Sequence, residues 1–253
     1  MKVSSFEVNE ARQLVPISTE CVEASLEEEE ARVWIDLQAF EPEELEDWLG
    51  RLGVEDLPRQ LCLEARDRPG FYPLASEILM VFPVLGDDDF ASETDHVAFL
   101  CREDLLLTMH QRPVLEREMV EDLARSQSWL SSRSVAGLVS AIVMDLSLSC
   151  LRRTADLRAA IISLEDRMDR DPDEVEAEEI LRMRSDLVTL GALVSDQLTA
   201  VQAMSATARP FFQIEDAREY VSCALVNLQS ADRSLDWLDN RLGTLRSGLE
   251  MHA

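Results

Sequence analysis

Lysine is almost missing from this 253-residue chain: Lys2 stands alone, and arginine carries nearly all of the positive charge. Acids outnumber bases 50 to 24, which gives a formal net charge of −26 and a pI near 4.4. A field this negative disfavours nucleic acid and anionic lipid headgroups as partners, and it favours cations or basic proteins. Catalytic and cofactor signatures are missing too. There is no GxGxxG after a strand, no GxxxxGKS/T, no HExxH and no GxSxG. Histidine is scarce, and His96, His110 and His252 lack metal-ligand spacing. His110 ends a predicted strand and is placed to meet Cys101 across a hairpin, a pair more typical of packing than of a site. Thr108 and His110 supply no nucleophile–base logic by themselves. No enzyme is expected.

The five cysteines (Cys21, Cys62, Cys101, Cys150 and Cys223) are singletons without a CxxC, which suggests buried thiols in a reducing compartment. The N-terminus "MKVSSFEVNEARQLV" lacks the apolar stretch of a signal peptide. Long hydrophobic runs are missing as well. The best candidate, "GLVSAIVMDLSLSCL" at 137–151, is short and has Asp145 in its middle. A carboxylate at mid-bilayer costs roughly 2.5–3.5 kcal/mol, so a buried helix is expected there.

What is present is a folded chain, with 46% apolar residues and enough length for a proper core. Up to about residue 112, strand and helix signals alternate. "RVWIDLQ" sets Val33, Ile35 and Leu37 on one face of a strand. "EPEELEDWLGRLG" has Pro42 and clustered acids at a helix start, followed by the apolar stripe Leu45, Trp48, Leu49 and Leu52. "SEILMVFPVL" is a strand whose Pro83 points to an edge or a strand end. "DHVAFLC" and "DLLLTMH" form a hairpin around Arg102–Glu103, and the acidic 86–95 stretch is a solvated turn.

After Pro113 the pattern becomes helical. Cys150, Thr154, Leu157, Ile161, Leu164 and Met168 step by four and three, and Ile180, Met183, Leu187, Leu190, Val194 and Val201 keep a similar rhythm. Between them Asp171, Pro172 and Glu174 resemble an N-cap, N1 and N3, so an antiparallel helical hairpin is expected. In the last stretch Val221, Leu228, Leu235, Leu242 and Leu249 repeat every seven, offset by Ala224, Ala231, Leu238 and Leu245. These heptads predict a seam packed against other helices. The pattern runs to the end of "WLDNRLGTLRSGLEMHA" with no stop signal, although Gly243 and Gly248 lower helix propensity, so the helix is expected to be cut at Ala253. The expected class is α+β/α. A small α/β domain (1–112) precedes a helical hairpin region (113–209) and a stalk helix (210–253).

The densest charge is "LEDRMDRDPDEVEAEEI", with nine carboxylates against Arg167 and Arg170. The plain reading is a solvated hairpin tip. The functional reading is a cation-attracting surface, in which Asp166, Asp169, Asp173 and Glu176 hold hydrated Mg²⁺ loosely without a dedicated cage.

The order of these parts resembles the cytosolic portion of the CorA family of divalent-cation transporters, including its zinc-transporting ZntB branch. The resemblance is carried by "WIDLQAFEPEELEDWLGRLGV", "ILMVFPVL", "VAFLCREDLLLTMHQRP" (a family-like "lvTvh" strand ending), the charged hairpin, "LRMRSDLVTLGALVSDQLTAVQAM" and the heptad helix after "ARPFF". It implies a homopentamer at the cytoplasmic face of a bacterial or archaeal membrane. The cargo would be Mg²⁺, with Zn²⁺ or Co²⁺ as alternatives. The last helix would be a stalk running into membrane spans beyond Ala253, and the heptad residues would be its interface. A soluble coiled-coil scaffold or signalling adaptor with an α/β head is the alternative.

One departure bears on metal sensing. Matching from Gly53 to Pro69 sets Leu61 where well-studied members carry an Asp of an inhibitory inter-subunit Mg²⁺ site. Matching back from Tyr220 sets Cys223 at the partner position. Neither is a hard oxygen ligand. Either the site is apolar packing, with Cys62 and Cys223 as small hydrophobes, or the thiols recruit Zn²⁺.

Overall fold

In the computed structural model, which describes residues 1–28, 30–64, 68–86, 94–113, 132–171 and 174–252, a seven-stranded mixed sheet precedes three long helices. The strands are β1 (Lys2–Val8), β2 (Leu14–Pro16), β3 (Val33–Gln38), β4 (Gly70–Pro73), β5 (Ile78–Val84), β6 (Asp95–Cys101) and β7 (Leu105–His110). Their order is β2-β1-β3-β7-β6-β5-β4, and every neighbouring pair is antiparallel except β3 with β7. Short helices α1 (Val22–Leu26), α2 (Pro42–Arg51) and α3 (Asp56–Glu64) lie between β2 and β4 in the chain.

The alternation of side chains along the strands builds two cores, because successive residues point to opposite faces. Val33, Ile35 and Leu37 join Leu79, Val81, Leu100 and Leu107 under α2, where Leu45, Trp48, Leu49 and Leu52 are all buried. A capping box starts α2: the Glu44 side chain accepts from the Glu41 amide at 2.9 Å, and Pro42 sits in the first turn. On the other face Trp34, Met80, Phe82, Phe99 and Leu106 meet the long helices. Pro83 sits near the end of β5, beyond Val81 where pairing with β4 stops, as a proline without an N–H requires. The hairpin joining β6 and β7 closes through the Arg102 amide on the Leu105 carbonyl at 2.8 Å. Most of the acidic 86–95 stretch (87–93) lies outside the described residues.

The long helices are α4 (Val135–Arg170), α5 (Ala177–Ser205) and α6 (Arg218–His252). At 1.5 Å per residue α4 and α6 each run a little over about 50 Å. Ser134 caps α4 by accepting from the Gly137 amide at 3.1 Å. From Val135 to Val143 every residue is buried, because this end of α4 lies in the core shared with the sheet. Further along, burial narrows to Cys150, Thr154, Leu157, Ile161, Leu164 and Met168, the stripe that the sequence predicts. By length and composition α4 and α5 are both apolar enough to cross a membrane. In α4, however, 67% of the most apolar window is buried within the protein, so that apolarity serves the core.

The turn between α4 and α5 differs from the expected cap. Asp171 closes α4, its amide on the Arg167 carbonyl, whereas α5 begins at Ala177 with Glu176 at the N-cap. Pro172 and Asp173 lie outside the described residues. The reason for the later start is Val175. It is buried together with Ile180 in one core, the spacing of a hydrophobic staple, and this sets where the chain enters α5.

Candidate functional site

The acidic hairpin tip is built by the end of α4, the start of α5 and the last turns of α6. Two of its acids are neutralised within the chain. The Arg241 guanidinium clamps both Glu165 oxygens, and Arg167 pairs with Glu179. Arg241 also lies 4.6 Å from the ring centroid of Trp237, with Arg158 at 5.1 Å from the same ring, so α4 and α6 are stitched together below the tip. Asp166, Asp169 and Glu176 remain exposed, and Asp173 lies outside the described residues. Among the described residues no group of three or more His, Cys, Asp or Glu side chains stands ready to hold a metal ion. Asp166 and Asp169 share α4, whereas Glu176 precedes α5, so the three offer separated charges and no closed coordination shell.

The heptad residues are placed differently from the acids. Val221, Leu228, Leu235 and Leu242 are buried, as are Ala224, Ala231, Leu238 and Leu245, and Leu249 is half-buried. Their partners are α4 and α5 of the same chain, with which α6 makes most of its contacts. The hairpin therefore covers nearly the whole seam within one chain.

The positions that bear on metal sensing lie apart in character. Leu61 is half-buried and Cys62 fully buried in the core beneath α2 and α3, whereas Cys223 is exposed on α6. Burial, with the Glu77 carboxylate nearby, pushes the Cys62 thiol up to about 12. At neutral pH it is a thiol and not the thiolate that zinc binds. Cys150 is likewise raised to about 12 by burial, an effect its bond to Gln197 opposes.

His110 does not meet Cys101. Cys101 stands opposite Leu106, and β7 runs on so that His110 falls next to β3, where its Nε2 lies 2.9 Å from Asp36. The parallel pairing of β3 with β7, which no local pattern encodes, makes that contact.

Two further buried polar residues, Gln197 and Glu77, bear on how the parts are held. Gln197 is fully buried. It donates to the Pro83 carbonyl at 2.7 Å and accepts from the Cys150 thiol at 3.3 Å, tying α5 to the sheet and to α4. Its signal was legible, because it falls on the apolar stripe of α5 between Val194 and Val201. Glu77 directly precedes β5 and is buried, with one oxygen, Oε2, lacking a partner among the described residues.

A mixed seven-stranded sheet with three long helices along one face is the fold of a CorA soluble domain. The chain belongs to the CorA-like Mg²⁺ transporter protein family, whose model matches residues 29–251. Members of that family transport metal ions and are not enzymes. The chain is similar to the soluble domain of CorA from Methanocaldococcus jannaschii, with a TM-score of 0.74 at 16% identity over 96% of this chain and 94% of that one. It is similar to the ZntB cytoplasmic domain from Vibrio parahaemolyticus RIMD 2210633, with 0.73 at 13% over 98% and 96%. The full-length CmaX protein gives 0.78 at 14% over 98% of this chain and 76% of that one. No curated protein matches the chain in sequence.

Proposed function

We propose that this chain is the cytosolic gating part of a homopentameric divalent-cation transporter, with Mg²⁺ as the favoured cargo and Zn²⁺ or Co²⁺ as alternatives. It carries out no catalysis. It sits at the cytoplasmic face of a bacterial or archaeal membrane, and a spanning portion belongs beyond α6. Three parts share the work: the α/β domain of residues 1–112, the hairpin region of 113–209 and the stalk of 210–253. The observation that carries this reading is the family match over 29–251, joined to a last helix packed along the hairpin for most of its length.

Val221, Leu228, Leu235, Leu242 and Leu249, expected to join stalk helices around a five-fold axis, lie in one core with α4 and α5 of the same chain, so in this reading they pass movement of the stalk to the hairpin. Because that seam is filled from within the chain, the coiled-coil scaffold loses the free heptads that suggested it. Asp166, Asp169, Asp173 and Glu176 raise the local cation concentration at the tip and hold no ion tightly. Expression of the full-length gene product in cells that lack Mg²⁺ uptake tests the function. Restored growth at low external Mg²⁺ is expected. Resistance to or uptake of Zn²⁺ alone would move the cargo to zinc, and no effect on any divalent cation would contradict the proposal.

A further inference from the structure

The "TMH" ending of β7 serves none of the roles above, yet its hydrogen bonds fix where the protons lie. Trp34 Nε1 can only donate, and it donates to Thr108 Oγ1 at 2.9 Å. The Thr108 hydroxyl therefore gives its own proton to Asp36 Oδ1, 2.5 Å away. That same carboxylate oxygen faces His110 Nε2 at 2.9 Å, and His110 Nδ1 faces the Arg112 carbonyl oxygen at 2.5 Å. Both neighbours of the ring are acceptors. A neutral imidazole has a single N–H and would turn a lone pair against one of them.

We propose that His110 is a doubly protonated imidazolium paired with Asp36 inside the sheet, and that this pair is a proton-operated latch on the exit of the chain from β7. The exit turn is the segment it holds. The His110 carbonyl accepts from the Ala39 amide at 3.1 Å, Gln111 donates to the Phe40 carbonyl at 3.0 Å, and the Arg112 side chain reaches Asp95 of β6 at 3.7 Å. Loss of the ring proton removes the donor to Asp36 or to Arg112, and the turn keeps only its outer ties.

The charged groups facing the ring are Asp36 on β3 and Lys2 on β1, with the Arg112–Asp95 pair beside them. Burial is the largest single influence and lowers the His110 pKa. The hydrogen bond and charge of Asp36, with the Arg112 carbonyl, outweigh burial and the opposing Lys2 charge, so the net direction is upward from 6.5. A histidine raised on folding contributes stability that is fully present below its ordinary pKa and is lost as pH rises through the higher folded value. The latch is thus closed in acid and opens on the alkaline side of 6.5. Its bearing on transport rests on the gating function proposed above, but its protonation state does not, so the two can fail separately.

Nitrogen-15 spectra of the histidine side chains of this 253-residue chain test the latch, with His110 assigned by its loss in His110→Gln. The expected result is two protonated ring nitrogens on the acid side of the titration. The titration midpoint should lie above the ordinary value, and Asp36→Asn should lower it by about one pH unit or more. Amide exchange at Gln111 and Arg112 should accelerate through that midpoint beyond the intrinsic base-catalysed rate. A midpoint at or below 6.5, or one that Asp36→Asn leaves in place, would overturn the ion pair. Exchange that follows only the intrinsic rate across the titration would overturn the latch. If His110→Gln fails to fold, the one histidine resonance that shifts in Asp36→Asn makes the assignment.

Discussion

Glu77 carries a carboxylate into the protein where Oε2 finds no partner among the described residues. Burial raises its pKa, Arg102 opposes this, and Glu55 and Asp104 add to the rise. An acid raised on folding is protonated more readily in the native state than in the unfolded chain. Its contribution is therefore most favourable below the ordinary carboxylate pKa and declines as pH rises toward the folded value. Replacing Glu77 by Gln should remove that decline. In urea melts the variant should gain up to about 1 kcal/mol at pH 7 and less at pH 5. Equal midpoints at both pH values would mean that the carboxylate is better solvated than its burial implies. At this scale the sequence was a partial guide. The start and the buried face of α2 were legible because Pro42, its neighbouring acids and the apolar stripe are local signals. Asp36, Glu77 and His110 were not, because their environments come from strands far apart in the chain.

The last helix shows how far periodicity carries at the scale of an element. The seven-residue repeat of α6 predicts its buried side, and Leu235 and Leu242 are 3% and 1% exposed. Truncation of either to Ala should cost about 2–5 kcal/mol, since the site is packed on all sides. Glu176→Gln and Glu178→Gln should change stability by no more than about 0.5 kcal/mol, as exposed positions do. Denaturant melts with the order reversed would show that α6 presents its faces the other way round.

The glycines of α6 separate two further outcomes. A side-chain carbon at Gly243 would meet nothing within 4 Å, so Gly243→Ala should raise stability by about 0.5–1 kcal/mol. At Gly248 the same carbon would come within 2.7 Å of the flexible end of Met168, so the gain should be smaller. A thermal melt in which Gly248→Ala stabilises more than Gly243→Ala would contradict this packing. Strands fared less well than helices. The sequence carries only weak signals for β1, β2 and β4, because "KVSSFEV" mixes serines into its alternation, β2 is only three residues long and "GFYP" is bounded by glycine and proline. All three are strands because neighbours pair with them.

Across the whole molecule, the net charge of −26 meets a fold whose longest helices converge on its most acidic end. Arginine clamps take up Glu165 and Glu179, and among the described residues the exposed acids form no group that could hold a metal ion. The class of fold and the long helices were legible because hydrophobic periodicity at this length is hard to mistake. The origin of the seam's partners was not, since a heptad repeat looks the same whether a helix packs against its own chain or another. The most direct measurement is Mg²⁺ entry into liposomes that carry the full-length gene product, with Mg²⁺ on the cytosolic side varied. Entry should fall as cytosolic Mg²⁺ rises. The fall should be gradual and should weaken at high ionic strength, because dispersed carboxylates are screened where a closed site is not. Entry indifferent to cytosolic Mg²⁺, or no entry of any divalent cation, would contradict the account.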